Sequence, residues 1–287
     1  MAESFERLAA QLSHESPDIR RMACRDVAAS GDARATAALV KALGDWSPYV
    51  RAAAAEGLAA IGDPSVAPHL IELLSSAQPE ARAGAALALG RLAIVEAADQ
   101  ILERLQTDPH TAVRAAAAEA AGRLASPEAL QPLTAALADP EGLVRLSAAR
   151  GLGLLGDSQA AEALSATLGD VESDVAQAAA EALVSLGSAS APALAHALAE
   201  ALKPRREPNG PWGAFGSEGW IGACRLAIGV LLKLASEPAE PAEAWASIRD
   251  ALRTWKGALG ILSAVPVEVK QPLRQLVHVY SRRLAQL

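Results

Sequence analysis

Residues 45–63 read DWSPYVRAAAAEGLAAIGD, from Asp45 to Asp63. Serine and proline open the stretch, Val50 and Arg51 follow, an alanine run comes next, and a glycine closes it. Proline suits the first turn of a helix, because its missing N–H has no partner there anyway. Glycine suits the residue after the last turn, where the backbone turns left-handed. The stretch therefore predicts one helix with both ends marked.

The same signature returns along the chain. Ile19-Arg20, Val50-Arg51, Ala81-Arg82, Val113-Arg114, Val144-Arg145 and Val175-Ala176 lie at steps of 31, 31, 32, 31 and 31 residues. Counting from the arginine slot, small residues sit three and four positions on, as in Ala54-Ala55, Ala85-Ala86 and Ala117-Ala118. Leu58, Leu89, Leu152 and Leu183 stand seven positions on, and Ile61, Leu92, Leu124, Leu155 and Leu186 ten. Offsets of −1, +3, +7 and +10 fall on one helix face. Ser16-Pro17, Ser47-Pro48 and Gln78-Pro79 open this helix, and Gly31, Gly62, Gly156 and Gly187 close it. A second helix follows with its own spaced pair: Leu39 and Leu43, Leu70 and Leu74, Ile101 and Leu105, Leu133 and Leu137, Leu164 and Leu168. One such pair cannot bury its apolar face alone, so neighbours must stack.

Residues 45–63 closely resemble a HEAT-like repeat of the short phycobilisome-lyase type, and the likeness runs over residues 14–202. The resemblance implies an all-α solenoid, a superhelix of helix pairs, in which the Val-Arg helix lines the concave wall. It says little about activity, since such repeats serve adaptors, assembly factors and a few enzymes.

Composition agrees. Hydrophobic residues make up 51% of the 287 but aromatics only 3%, so the core is built from alanine and leucine, both strong helix formers. Residues 1–203 carry 15 basic and 26 acidic side chains, a net of −11. Residues 204–287 carry 11 and 7, a net of +4, giving −7 together. That balance argues against nucleic acid as a partner. The N-terminal residues lack a secretory signal, and the most apolar window, 221–234, is too short and too charged to span a bilayer, so a cytoplasmic protein without membrane insertion is expected.

Past residue 202 the period fails. Residues 203–220 read KPRREPNGPWGAFGSEGW, the composition of a Gly/Pro/Trp-rich loop. Helices are expected near 219–235, 240–263 and 267–286, where residues 221–287 form either a C-terminal cap over the last repeat or a docking segment. Residues 1–202 form the six-repeat part.

The recurring Arg51, Arg82, Arg114 and Arg145, with Asp45, Asp108, Asp139 and Asp170, read as a structural ladder of inter-repeat ion pairs. The candidate binding residues lie opposite the buried face. They are Arg25, Glu56, Leu87, Glu119, Arg150 and Glu181 at offset +5, Arg91, Arg123 and Leu154 at +9, and Tyr49 near the helix start. Between them Ala52, Ala53, Ala83, Gly84, Ala115 and Ala116 are expected to form an open alanine floor. Such a mixed-charge rim suits a helix or extended segment of another protein. Trp212 and Phe215, in the loop, are a second candidate set, because aromatics anchor interfaces.

No catalytic signature appears. His14, His69, His110, His196 and His278 are scattered, without a metal-ligand or nucleophile pattern, and Cys24 and Cys224 read as buried. A non-catalytic protein-binding scaffold, adaptor or assembly factor without a cofactor or metal is the expected function. The resemblance implies one alternative, a bilin lyase or lyase chaperone that presents a linear tetrapyrrole to its acceptor protein. Deoxyhypusine hydroxylases share the repeat but hold iron with repeated His-Glu pairs, and only His14-Glu15 matches that pattern here.

Overall fold

The computed structural model describes residues 2–201, 216–235 and 267–284, and these are helical with short turns and no strand among them. The chain divides into two compact units, 1–151 and 152–287.

In the first unit α1 (Ala2–Gln11) precedes the repeats. The Val-Arg helices are α2 (Pro17–Ala29), α4 (Pro48–Ile61), α6 (Pro79–Arg91), α8 (Thr111–Leu124) and α10 (Gly142–Leu155). Their partners are α3 (Ala35–Ala42), α5 (Ala67–Leu73), α7 (Ala98–Thr107) and α9 (Leu130–Ala136). Pro17, Pro48 and Pro79 occupy the first turn as the punctuation predicts. Each partner helix after α3 is entered through a single 3-10 turn, at Pro64–Val66, Val95–Ala97 and Pro127–Ala129. At the first of these Asp63 accepts the Ser65 N–H, which caps the turn.

Helix α2 packs on α4, α4 on α6 and α6 on α8, so the Val-Arg helices form one layer and their partners another. Leu39, Leu43, Leu58, Leu70, Leu74, Leu89, Ile101 and Leu133 are buried between the layers. Each contributes about 1.5–3 kcal/mol by leaving water. The outer row at +10 is different, for Ile61 and Leu92 are only half-buried.

Small residues set the helix spacing. A Cβ on Gly122 would lie 2.4 Å from the Gly151 Cα, and one on Gly90 would lie 2.6 Å from the Ala120 Cα. The Val-Arg helices therefore touch through their backbones, and leucine at these places would force them apart.

In the second unit α11 (Ala161–Thr167), α12 (Ser173–Ser185) and α13 (Ala191–Ala201) continue the pattern. Helix α14 (Gly216–Ala235) packs against both α12 and α13, and α15 (Val267–Leu284) packs against α14. Ala223, Ala227, Ile228, Leu231 and Leu234 supply the buried face of α14, met by Val269, Leu273 and Leu276 of α15. Helix α14 begins at Gly216, so residues 216–220 are helix rather than the tail of the expected loop. The remainder of that loop, with Trp212 and Phe215, and the helix expected over 240–263 lie outside the described residues.

Candidate functional site

Two sets of charged side chains organise the first unit, and they do different things. The first is the arginine ladder. Arg20 donates from Nε and Nη2 to the Asp45 carboxylate at 2.6 and 2.9 Å, while its Nη1 donates to the carbonyls of His14 and Glu15. Arg82 treats Asp108 the same way at 2.7 and 2.9 Å, and Arg114 treats Asp139 at 2.9 and 2.9 Å. Each aspartate also accepts a backbone N–H two residues on, from Ser47, His110 and Glu141 respectively. One carboxylate thus shapes the turn that starts its own Val-Arg helix and receives the arginine of the preceding repeat. Such bidentate pairs are short and directional.

The electrostatics follow. The hydrogen bonds from Asp45, Asp108 and Asp139 raise Arg20, Arg82 and Arg114 above the ordinary guanidinium value, against the opposing effect of burial. For Asp108 and Asp139 burial is the largest single influence and pushes the carboxyl up. The guanidinium and backbone N–H bonds, with the nearby positive charge, together outweigh it and leave both carboxyls below their ordinary value. The ladder is structural, as the sequence implies.

The second set lies on the solvent side of α4, α6 and α8. Arg91 donates to Glu56 at 2.7 Å and approaches Glu119 at 3.6 Å, and Arg123 meets Glu119 at 3.2 Å from one turn away. Glu56, Arg91, Glu119 and Arg123 therefore form a chain of alternating sign across three repeats. The side chains differ in access. Arg91 keeps 16% of its surface, whereas Glu56 keeps 51% and Arg123 38%. Arg91 is the internal rivet, and Glu56 and Arg123 are the members that reach solvent.

Of the other candidates in this unit, Arg25, Arg150 and Tyr49 are exposed and Leu87 is half-buried. Tyr49 stands 74% exposed, and Trp46 and Met22 are exposed as well, neither of which the periodic pattern singled out. Trp46 lies 5.1 Å from the Arg20 guanidinium, a cation–π contact that holds the indole in place at the surface. The signal for Trp46 was available, since a large aromatic in the turn before a repeat helix has no core to enter.

The expected alanine floor is not open. Ala53, Ala83, Ala115 and Ala116 are buried, as is Gly84, whose Cβ would lie 2.2 Å from the Leu43 carbonyl oxygen. These positions are spent on packing neighbouring helices, and only Ala52 is half-buried. The face is a layer of protruding charged and aromatic side chains above tightly packed backbone.

In the second unit Leu154 and Glu181 are exposed. Glu181 accepts a hydrogen bond from Gln177 at 3.1 Å. With Val184, Arg225, Leu226 and Val230 it lines a groove of about 430 Å³ between α12 and α14. The sequence pattern missed this groove because Arg225 lies beyond the repeats.

Both cysteines are buried and their thiols are pushed up, Cys24 to about 11 and Cys224 to about 12, with desolvation the main cause. At neutral pH both are thiols rather than nucleophilic thiolates. Among the described residues no group of three or more His, Cys, Asp and Glu side chains is placed to hold a metal ion, and no helix is long and apolar enough to cross a membrane.

Stacked helix pairs, ladder-linked and presenting one charged face, define a helical-repeat protein of the solenoid class. The sequence profile of HEAT repeats matches residues 5–79, 67–148 and 132–207, more than half of the chain, and the chain belongs to the HEAT repeat family. No curated protein matches it. Among solved structures, Kap121p in a mutant form aligns with a TM-score of 0.56 at 12% identity, over 92% of this chain and 35% of that one. Kap95p, solved in connection with RanGDP, aligns with a TM-score of 0.55 at 16% identity, over 96% and 41%. The complex of CpcE and CpcF of phycocyanin lyase from Nostoc sp. PCC7120 aligns with a TM-score of 0.46 at 20% identity, over 88% and 94%. The two karyopherin likenesses place the chain in the all-α solenoid fold.

Proposed function

We propose that the chain is a non-catalytic protein-binding scaffold, whose face on α2, α4, α6 and α8 takes a helix or extended segment of a partner protein. The observation that carries this reading is the fixed charge chain Glu56–Arg91–Glu119–Arg123 with Tyr49 projecting from the same layer of helices. A rivet that is already paired holds its neighbours in position, so a partner meets Glu56 and Arg123 with little left to order. Tyrosine adds contact area at small conformational cost. Alternating charge suits a protein segment carrying both signs better than a uniformly anionic polymer.

The test is affinity purification from the native cell with Tyr49→Ala combined with Arg123→Glu. Both side chains reach solvent, so helical content and melting temperature should hold while the captured partner is lost. Undiminished capture would exclude this face. Arg91 is the wrong residue for that test, because reversing it gathers three carboxylates and strains the repeat packing. A visible absorbance change on mixing the purified chain with a linear tetrapyrrole would move the reading to the bilin-presenting alternative.

A further inference from the structure

Arg20, Arg82 and Arg114 each meet a carboxylate, and Arg51 does not. Register explains the difference. Asp45 and Asp139 lie 25 residues after their arginines and Asp108 lies 26 after its own, and at the corresponding place after Arg51 stands Ser76. The Ser76 hydroxyl still accepts the Gln78 N–H at 3.2 Å, which preserves the start of α6. It ends short of the space an aspartate carboxylate fills in the other junctions.

The consequence falls on Arg51. Only 6% of its surface is exposed. Its Nη1 donates to the carbonyls of Asp45 and Trp46 at 2.8 and 3.1 Å, as the ladder requires. Its Nε, which in the other three arginines donates to an aspartate oxygen, is buried with no acceptor. Burial is the dominant influence on this group and lowers its proton affinity, with Glu80 and Asp45 opposing only through space. Its shift is thereby opposite to that of the three paired arginines. A buried cation with an unmet donor is costly.

The side chains of Asp45 and Asp139, which fill this position in their own junctions, keep 11% and 12% of their surface in contact with solvent, whereas that of Asp108 keeps none. Arg51 Nε itself is out of contact with solvent, so an ion entering from the edge of the repeat must displace the side chains around it. What this junction lacks is the planar carboxylate that the other three set against the Nε edge of their guanidinium.

The geometry points to a carboxylate-binding site between the second and third repeats, in which Arg51 Nε and the Ser76 hydroxyl hold one carboxylate supplied from outside the chain. The source is a small free organic acid or an acidic side chain of a bound protein, and the chemistry of the site is the same for both. This site is built on Arg51 and Ser76 rather than on Glu56, Arg123 and Tyr49, and stands or falls independently of the charged face proposed for the partner.

The experiment follows the melting temperature of the full chain at pH 7 as sodium acetate replaces sodium chloride at constant ionic strength. We expect a rise of about 2–5 °C at ten times the dissociation constant, growing thereafter with the logarithm of acetate concentration. Ser76→Asp, which builds the missing carboxylate into the chain, should raise the melting temperature in chloride and erase the acetate effect. Ser76→Asn, similar in shape but uncharged, should raise the melting temperature less than Ser76→Asp while also removing the acetate effect, because its amide fills the same position. A blocked peptide with one aspartate, compared with its asparagine counterpart, separates the sources: a rise at lower concentration than acetate assigns the site to a protein carboxylate, and a rise only with acetate assigns it to a small acid. Glu80→Gln controls for the internal carboxylate that acts most strongly on Arg51 through space. No acetate effect in the wild-type chain or in Glu80→Gln, or an equal effect in wild type and Ser76→Asp, would overturn the site.

Discussion

Ala93 and Ala125 hold φ of 55° and 52°, the left-handed region that costs an L-residue about 1–2 kcal/mol. They stand eleven residues after Arg82 and Arg114. At that offset the other repeats carry Gly31, Gly62, Gly156 and Gly187, with φ between 64° and 72°. The conformation belongs to the turn rather than to the residue, since six repeats adopt it with two residue types. Ala125→Gly is therefore expected to stabilise the chain by about 0.5–1 kcal/mol, the relief of strain exceeding the added freedom of the unfolded chain. Urea unfolding of the wild type and variant checks this, and an unchanged or lower midpoint would contradict the strain argument. Gly62→Ala should show the opposite sign.

Between elements, the same residue type has different meanings, and the distances separate them. A Cβ on Gly122 would meet the Gly151 backbone at 2.4 Å, whereas one on Gly57 would meet the movable end of the Leu39 side chain at 2.9 Å. Gly122→Ala should cost about 1–3 kcal/mol because two helices must separate. Gly57→Ala should cost less, since the closest atom is a movable side-chain end, the Ala28 Cβ at 3.1 Å need give only a few tenths of an ångström, and alanine favours the helix. Measured side by side, equal costs would mean that the backbones are not in the contact described. The ladder acts at this scale too. Asp108 is enclosed and paired with Arg82, so Asp108→Asn is expected to lose about 3 kcal/mol at pH 7. The Asp108 carboxyl titrates below its ordinary value in the folded chain. The contribution of the pair is then complete above about pH 5, where an unfolded aspartate is ionised, and is lost as pH falls through the lower folded value. The gap between the unfolding midpoints of wild type and variant should narrow from pH 7 to pH 3; a gap that stays constant would remove the ion pair from the explanation.

Across the whole molecule, charge is placed unevenly, with the repeats acidic and residues 204–287 basic. Glu56 and Arg123 are partly solvated, so contacts to them are screened by salt. Raising ionic strength from about 0.1 to about 1 M shortens the screening length from about 10 to about 3 Å. Capture of the partner should weaken several-fold over that range, mainly through slower association. A salt-independent capture would shift the binding energy onto apolar residues such as Tyr49, Trp46 and Met22.

The amino-acid sequence alone determined the helix pairs, their period and the buried leucine rows, because a repeat writes the same local physics six times and coincidence does not survive that. It also marked Arg51, Arg82, Arg114 and Arg145 as structural, and for Arg82 and Arg114 the turn aspartate is the partner, since a charge recurring in register with it has a partner built in. Only the tertiary structure decided which small residues are floor and which are packing. Ala52 and Ala83 look alike in a string, and the difference lies in how closely a neighbouring backbone approaches. It likewise decided that Arg91 is enclosed between Glu56 and Glu119 while Arg123, paired with Glu119, still reaches solvent, and that Arg51 is left with an unmet donor. Those outcomes depend on distances between side chains dozens of residues apart, which no local pattern encodes.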